Sequence, residues 1–244
     1  VDIGGGTSDF TVARVGPDRA VLADRGSDIL ATTGVHIGGT DFDQLLNLRH
    51  VMPLLGLGHT GPHGRSMPSS LFHALSTWHL VPQCYTRKSL HDAAQLRSDY
   101  TEPALHKRLM HVLHERQGHR ILAHTEAAKI DCSNTRADAQ IELDCIERGL
   151  GVPLTPAGLD ATLQAQVASI VACAQACVAR SGVPANRLQA LYLTGGSSAL
   201  APLGVALGEA FPGAQLVTGD RLGSVAAGLA YGGAAVGRAM AVES

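Results

Sequence analysis

The chain has 244 residues, with 19 Lys and Arg against 21 Asp and Glu and a net charge of −2 with histidine neutral, so no excess charge steers it toward nucleic acid or acidic lipid. Apolar residues make up 45% and charged residues 16%, which excludes a disordered chain and allows a substantial core. Five cysteines without a CxxC pair indicate neither a disulfide framework nor a zinc ribbon, so a reducing, cytoplasmic setting is expected.

Residue 1 is Val rather than Met and opens directly onto a strand, so the sequence reads as a fragment of a longer parent. Strands are predicted over Val1 to Ile3 and Phe10 to Val15, around the turn Gly4-Gly5-Gly6-Thr7, with a third strand over Ala20 to Asp24. A helix is predicted from Phe42, capped by Asp41 and ended by Pro53 and the following glycines. Residues 56 to 70 have loop composition, and Leu71 to Ser133 is richer in charge and histidine than its surroundings, as an inserted subdomain would be. Within it Glu102 to Lys129 has helical spacing, broken at Gly118, and Ile141 to Ile146 then alternates as a strand does. Thr155-Pro156 starts a long helix whose apolar face runs from Leu159 through Leu163, Val167 and Ile170 to Val178. A strand over Ala190 to Leu193, a turn at Gly195-Gly196-Ser197-Ser198, a helix over Leu200 to Phe211, a strand over Gln215 to Val217 and a helix over Gly223 to Val236 complete an α/β pattern. The uncharged runs Ala161 to Ala179 and Leu188 to Gly208 are interrupted by glutamines or by glycine, serine and proline, so no membrane span is expected.

Chemistry concentrates in the glycine turns. In Asp2-Ile3-Gly4-Gly5-Gly6-Thr7-Ser8-Asp9 the bare backbone of a hairpin can bring N–H groups close to an anion, Asp2 and Asp9 suit a Mg²⁺ held largely through water, and Thr7 adds a hydroxyl. No Lys-Ser or Lys-Thr follows, so this is no Walker loop, and a plain glycine hairpin with solvated aspartates is the alternative reading. Gly195-Gly196-Ser197 lies between a strand and a helix, where open α/β sheets bind ligands, and Gly38-Gly39 is a third such turn.

These segments resemble the second half of the ATPase domain of DnaK-type, seventy-kilodalton heat-shock chaperones. DIGGGTSD is similar to that family's second phosphate motif, His36 to Gln44 (HIGGTDFDQ) to its HLGGEDFDN segment, Leu191 to Ser198 (LYLTGGSS) to its adenosine motif, and Gly223 to Ala230 (GSVAAGLA) to its closing helix. The run Met52-Pro53-Leu54-Leu55-Gly56 and the YLTGGS string are closer still to the YegD-like subgroup. The resemblance implies that Gly4, Gly5 and Gly6 hold the β and γ phosphates of ATP or ADP, with Thr7 by the γ phosphate and Asp2 and Asp9 positioning Mg²⁺ waters or the attacking water. Gly38 and Gly39 would line the cleft. Glu126 and Lys129 would grip ribose and adenine, Ser133 would contact the base, and Gly195, Gly196 and Ser197 would close around the nucleoside. Ile130, and Ala199 or Leu200, stand where that family has arginines against the base.

The expected architecture is an actin-like, ribonuclease H-like α/β lobe from residues 1–37 and 150–244, carrying an inserted mainly helical subdomain over 38–149. The N-terminal lobe of the same parent, which would bring a second phosphate motif and a catalytic lysine, has no counterpart in the sequence, so the fragment itself is expected to bind nucleotide weakly and to lack turnover. ATP hydrolysis would belong to the parent, with client proteins or a cochaperone as further partners. The rival readings are a sugar or metabolite kinase of the same superfamily, an actin-type assembly protein, and an inert pseudogene product.

Other features read as structural. The twelve histidines complete no zinc spacing, and Cys173 and Cys177 fall on the apolar stripe of the long helix. Cys132 lacks a basic neighbour to activate it, and Trp78 is expected to pack rather than to stack on a base.

Overall fold

The computed structural model describes residues 1–20 and 25–219. In chain order the elements are β1 (Asp2–Ile3), β2 (Ser8–Ala13), α1 (Pro17–Ala20), β3 (Ile29–Val35), α2 (Gly39–Leu46), α3 (Ser70–Leu75), α4 (Arg87–Gln95), α5 (Pro103–His114), α6 (Gly118–Thr135), β4 (Ala139–Glu142), β5 (Gly151–Leu154), α7 (Pro156–Ser181), β6 (Ala190–Leu193), α8 (Ala201–Ala210) and β7 (Gln215–Thr218). The chain is mixed α/β, mostly helical with small sheets. It forms two compact units: unit 1 from Val1–Gly39 and the chain from Val167 onward, and unit 2 from Thr40–Gln166. The second division falls inside α7, after Gln166, rather than ahead of that helix.

In unit 1, β2 pairs antiparallel with β1 (Asp2 opposite Asp9, Ile3 opposite Ser8) and with β3, with a register shift between Val12 and Ala13. On its other side β1 meets the residue after β6. Thr194 N–H donates to the Val1 carbonyl at 2.9 Å, and Ile3 N–H donates to the Thr194 carbonyl at 3.0 Å. With β6 and β7 parallel, the strands read across as β3-β2-β1-β6-β7, and α8 makes the crossover between the parallel pair. The pleat sorts side chains: Ile3, Ser8 and Phe10 are buried while Asp2, Asp9 and Thr11 are exposed. The later half of α7 docks on β2 and β3, where Cys177 Sγ donates to the Phe10 carbonyl (3.4 Å) and Thr33 Oγ1 donates to the Cys173 carbonyl (3.3 Å).

The third strand of this sheet is Ile29–Val35. The strand expected over Ala20 to Asp24 lies outside the described residues apart from Ala20, which ends α1. Gly34 stands opposite Asp9 in the ladder, where the β-branched Ile29, Thr32, Thr33 and Val35 carry the pairing around it. The helix expected over Gly223 to Val236, including the GSVAAGLA segment, also lies outside the described residues.

In unit 2, α2 starts three residues before the expected Phe42 and buries Phe42 and Leu46. It continues through a π turn over Asn47–Val51 and a 3₁₀ turn over Met52–Leu55, and ends at Gly56 with φ 114°. A side chain at Gly56 would meet the Tyr100 ring, whose hydroxyl donates to the Leu55 carbonyl at 2.8 Å. The break between α5 and α6 falls at the expected Gly118, whose N–H donates to the Tyr85 hydroxyl at 2.9 Å. β4 ends at Glu142, short of the expected strand end at Ile146, because the chain turns at Leu143 and pairs there with Leu150 (2.9 Å). Thr155 caps α7 as its position implies, accepting from Gly158 N–H at 3.0 Å.

Among the described residues, α7 is the one helix long and apolar enough to cross a membrane by length and composition, with mean hydropathy 1.4. Its Leu159, Leu163 and Ile170 are fully buried. Truncating such a side chain leaves a cavity, so Ile170→Ala is expected to cost about 2–5 kcal/mol in urea unfolding, whereas Ala172→Ser on the exposed face should stay within about 0.5 kcal/mol.

Candidate functional site

Unit 1 brings its three glycine turns together. The hairpin turn between β1 and β2 is closed by Gly4 N–H donating to the Thr7 carbonyl at 2.9 Å, and the Gly4 carbonyl accepts from Gly39 N–H at 3.0 Å. Gly38 lies so close to this turn that a Cβ on it would stand 2.6 Å from the carbonyl carbon and oxygen of Gly5. A Cβ on Gly39 would collide with Ser197 Oγ, and one on Gly195 would collide with the Ile3 carbonyl and stand 2.6 Å from Asp2 Oδ1. Gly195 also has φ +80°, a conformation that side chains disfavour. The GGGT hairpin, the Gly38-Gly39 turn and the GGS turn are therefore mutual neighbours, packed as tightly as bare backbone allows.

Three serines and threonines hold this arrangement, and the sequence reading assigned positions to only one of them. Ser8, fully buried, donates through Oγ to the Ile37 carbonyl at 2.7 Å and anchors the second turn to β2. Ser198 Oγ donates to the Gly195 carbonyl at 2.7 Å and folds the third turn onto itself. Thr7 Oγ1 donates to Asp9 Oδ2 at 2.9 Å. The other Asp9 oxygen lies where a side chain on Gly34 would be, 2.6 Å from its hypothetical Cβ. Ser8 and Ser198 carried no distinct signal, since a buried serine next to a glycine run looks like any turn residue.

The outward side of the site has donors and charge. Gly5, Gly6, Thr7 and Gly196 are exposed. Among the described residues, the N–H groups of Gly6, Thr7, Gly196 and Ser197 donate to no protein acceptor. Asp2 and Asp9 are directly opposite in the antiparallel pair, and cross-strand partners share a face, so two exposed aspartates sit on one face at the hairpin's base, Asp9 Oδ1 toward Gly34 and Asp2 Oδ1 toward Gly195.

The other expected residues belong to unit 2. Glu126, Lys129 and Ser133 share α6; Glu126 is exposed, while Lys129 and Ser133 are buried. Lys129 Nζ forms an ion pair with Asp43 Oδ1 of α2 at 2.7 Å, its side chain 8% exposed and that of Asp43 14%. Burial pushes the Asp43 carboxyl up to about 6 against the pull of Lys129, and the charge of Glu126 adds to the rise. Ile130, one helical turn beyond Glu126, is 48% exposed.

Trp78 departs from its expected packing role: it is 55% exposed, with its ring tilted against that of His119 at 4.6 Å. His106, His111, His119 and His124 each bond a backbone carbonyl, from 2.6 to 3.2 Å, a structural use of the imidazoles. Cys132 is fully buried, which pushes its thiol up. No protein-family model matches the chain.

The turn packing predicts opposite outcomes at adjacent glycines. Gly195→Ala is expected to destabilise by at least about 1 kcal/mol from backbone strain alone, while Gly196→Ala, with nothing within 4 Å of its Cβ, should stay within about 0.5 kcal/mol in thermal unfolding.

Asp43 predicts a pH dependence. Its native carboxyl holds a proton more tightly than the unfolded one (about 6 against 3.8), so its contribution to stability is fully present below the unfolded value and is lost as pH rises through about 6. Relative to Asp43→Asn, the native chain should gain up to about 3 kcal/mol as pH falls from 7 to 4, read from paired denaturation curves.

Proposed function

We propose that unit 1 is the phosphate-binding part of an actin-type ATPase lobe of the DnaK-like class, taking ATP or ADP with Mg²⁺. The observation that carries this reading is the meeting of three glycine turns, distant in sequence, around a set of exposed backbone donors and a carboxylate pair. The strand row β3-β2-β1-β6-β7, antiparallel on one side and parallel on the other, sets the hairpin turn beside the turn that follows β6 and so supports the reading further.

The residues fit both components of such a ligand. Unpaired N–H groups of Gly6, Thr7, Gly196 and Ser197 suit phosphate oxygens, which backbone donors bind without the entropy cost of ordering long side chains. Asp2 and Asp9 suit a Mg²⁺ that keeps most of its waters, and when bound it would neutralise phosphate charge. Thr7 restrains the Asp9 carboxylate from one side, and the bare Gly34 leaves room for it on the other. In a longer parent with the family's other lobe, Asp9 would orient the attacking water, and positioning and electrostatics would supply most of the catalysis.

The test uses this chain with inorganic triphosphate and Mg²⁺, followed by titration calorimetry. Thr7 and Asp9 are both exposed, so Thr7→Ala and Asp9→Ala should keep the native circular dichroism and melting temperature while losing about tenfold or more in affinity, the worth of hydrogen bonds to charged groups. Equal affinity in the two variants and the native chain would reject the assignment.

A further inference from the structure

Unit 2 holds a cavity of about 310 Å³ between α3, the 3₁₀ turn over Val81–Tyr85 and α4. A cavity of about 150 Å³ accepts benzene, so this one has room for a ring with a short chain. Its wall is largely apolar. Leu71 and Ala74 of α3, Cys84 of the turn, Ala93 of α4 and Leu96 just after it line the space, with Cys84 2% and Ala93 1% exposed. Burial pushes the Cys84 thiol up to about 11, so at neutral pH it stays protonated and serves as a small apolar surface rather than a nucleophile.

The polar side of the cavity offers acceptors. Ser89 Oγ donates its one proton to the Gln83 carbonyl at 2.9 Å and meets Thr86 Oγ1 at 2.8 Å, so it presents a lone pair to a ligand. Asp92 Oδ2 accepts from Lys88 Nζ at 2.9 Å, while Asp92 Oδ1 has no partner among the described residues. The Asp92 side chain is 57% exposed, which places its carboxylate at the mouth and the buried wall inside. Among the described residues it is the one charged group of the lining.

Acceptors at the mouth and an apolar interior select a ligand whose donors are at one end. An anionic ligand would be repelled by Asp92 and would meet no cation in the described lining. A neutral hydroxyl brings one donor, whereas an ammonium brings three and the opposite charge. Lys88 competes only weakly for the carboxylate, because its side chain is 86% exposed and such surface pairs are screened and costly in side-chain entropy to hold.

We propose that this cavity binds a small primary amine with a one-ring apolar body, its ammonium donating to Asp92 and Ser89 and its ring lying against Leu71, Cys84 and Ala93. The site lies wholly within unit 2 and shares no residue with the glycine turns or with the Lys129–Asp43 pair.

Ligand-observed NMR on the whole chain compares phenethylamine with three probes that each change one feature: phenylethanol removes the charge, phenylpropionate reverses it, and ethylammonium removes the ring. At pH 7 phenethylamine is expected to saturate, with each of the other three at least about tenfold weaker. Asp92 and Lys88 are both exposed, so Asp92→Asn and Lys88→Gln should keep the native circular dichroism. Asp92→Asn should lower phenethylamine to the affinity of phenylethanol, and Lys88→Gln, which removes the competing cation, should leave it bound at least as tightly. The proposal is overturned if phenethylamine does not saturate by about 10 mM, if any of the three probes matches it, if Asp92→Asn leaves its affinity unchanged, or if Lys88→Gln weakens it.

Discussion

Two residues, Asp2–Ile3, join the two halves of unit 1's sheet. Their strand pairs with β2 through the hairpin and with Thr194 through two backbone hydrogen bonds near 3 Å, so it joins an antiparallel half-sheet to a parallel one. Because it is so short, the GGGT turn emerges immediately beside the turn that follows β6, and Gly195 must pass the Ile3 carbonyl with no side chain of its own. The backbone hydrogen bond from Gly39 to Gly4 then draws in the third turn. Each close approach depends on a missing Cβ, and together they leave the outer N–H groups facing solvent rather than protein.

Unit 2 is governed by a different constraint, the cost of burying charge. Lys129 and Asp43 are both mostly withdrawn from water and meet at 2.7 Å, yet burial still raises the Asp43 carboxyl, so desolvation outweighs the attraction between them. The pair organises the packing of α2 and α6. It also fixes one wall of a second cavity, beside Trp78. A lysine on the surface of α6 would be available to a ligand; at this position its ammonium is already engaged.

Local patterns were legible wherever one residue type settles the backbone. Thr155-Pro156 announces the start of α7, Gly118 separates α5 from α6, and the strand, glycine turn and helix at Ala190 to Ala210 follow from composition. The third strand was not legible, because Gly34 next to its end interrupts the β-branched run and its reason for being glycine, room for the Asp9 carboxylate, belongs to another strand. Trp78 was misread for a related reason: whether an aromatic packs or borders a cavity depends on His119, forty-one residues away.

By itself the sequence determined that bare backbone would occur at three turns and that acidic residues would flank the first, since glycine runs and their neighbours are covalent facts. Only the tertiary structure decided that these turns meet, that Ser8 and Ser198 lock them, and that Lys129 faces Asp43. Those outcomes depend on strand register and helix packing, which bring together groups that no local spacing relates.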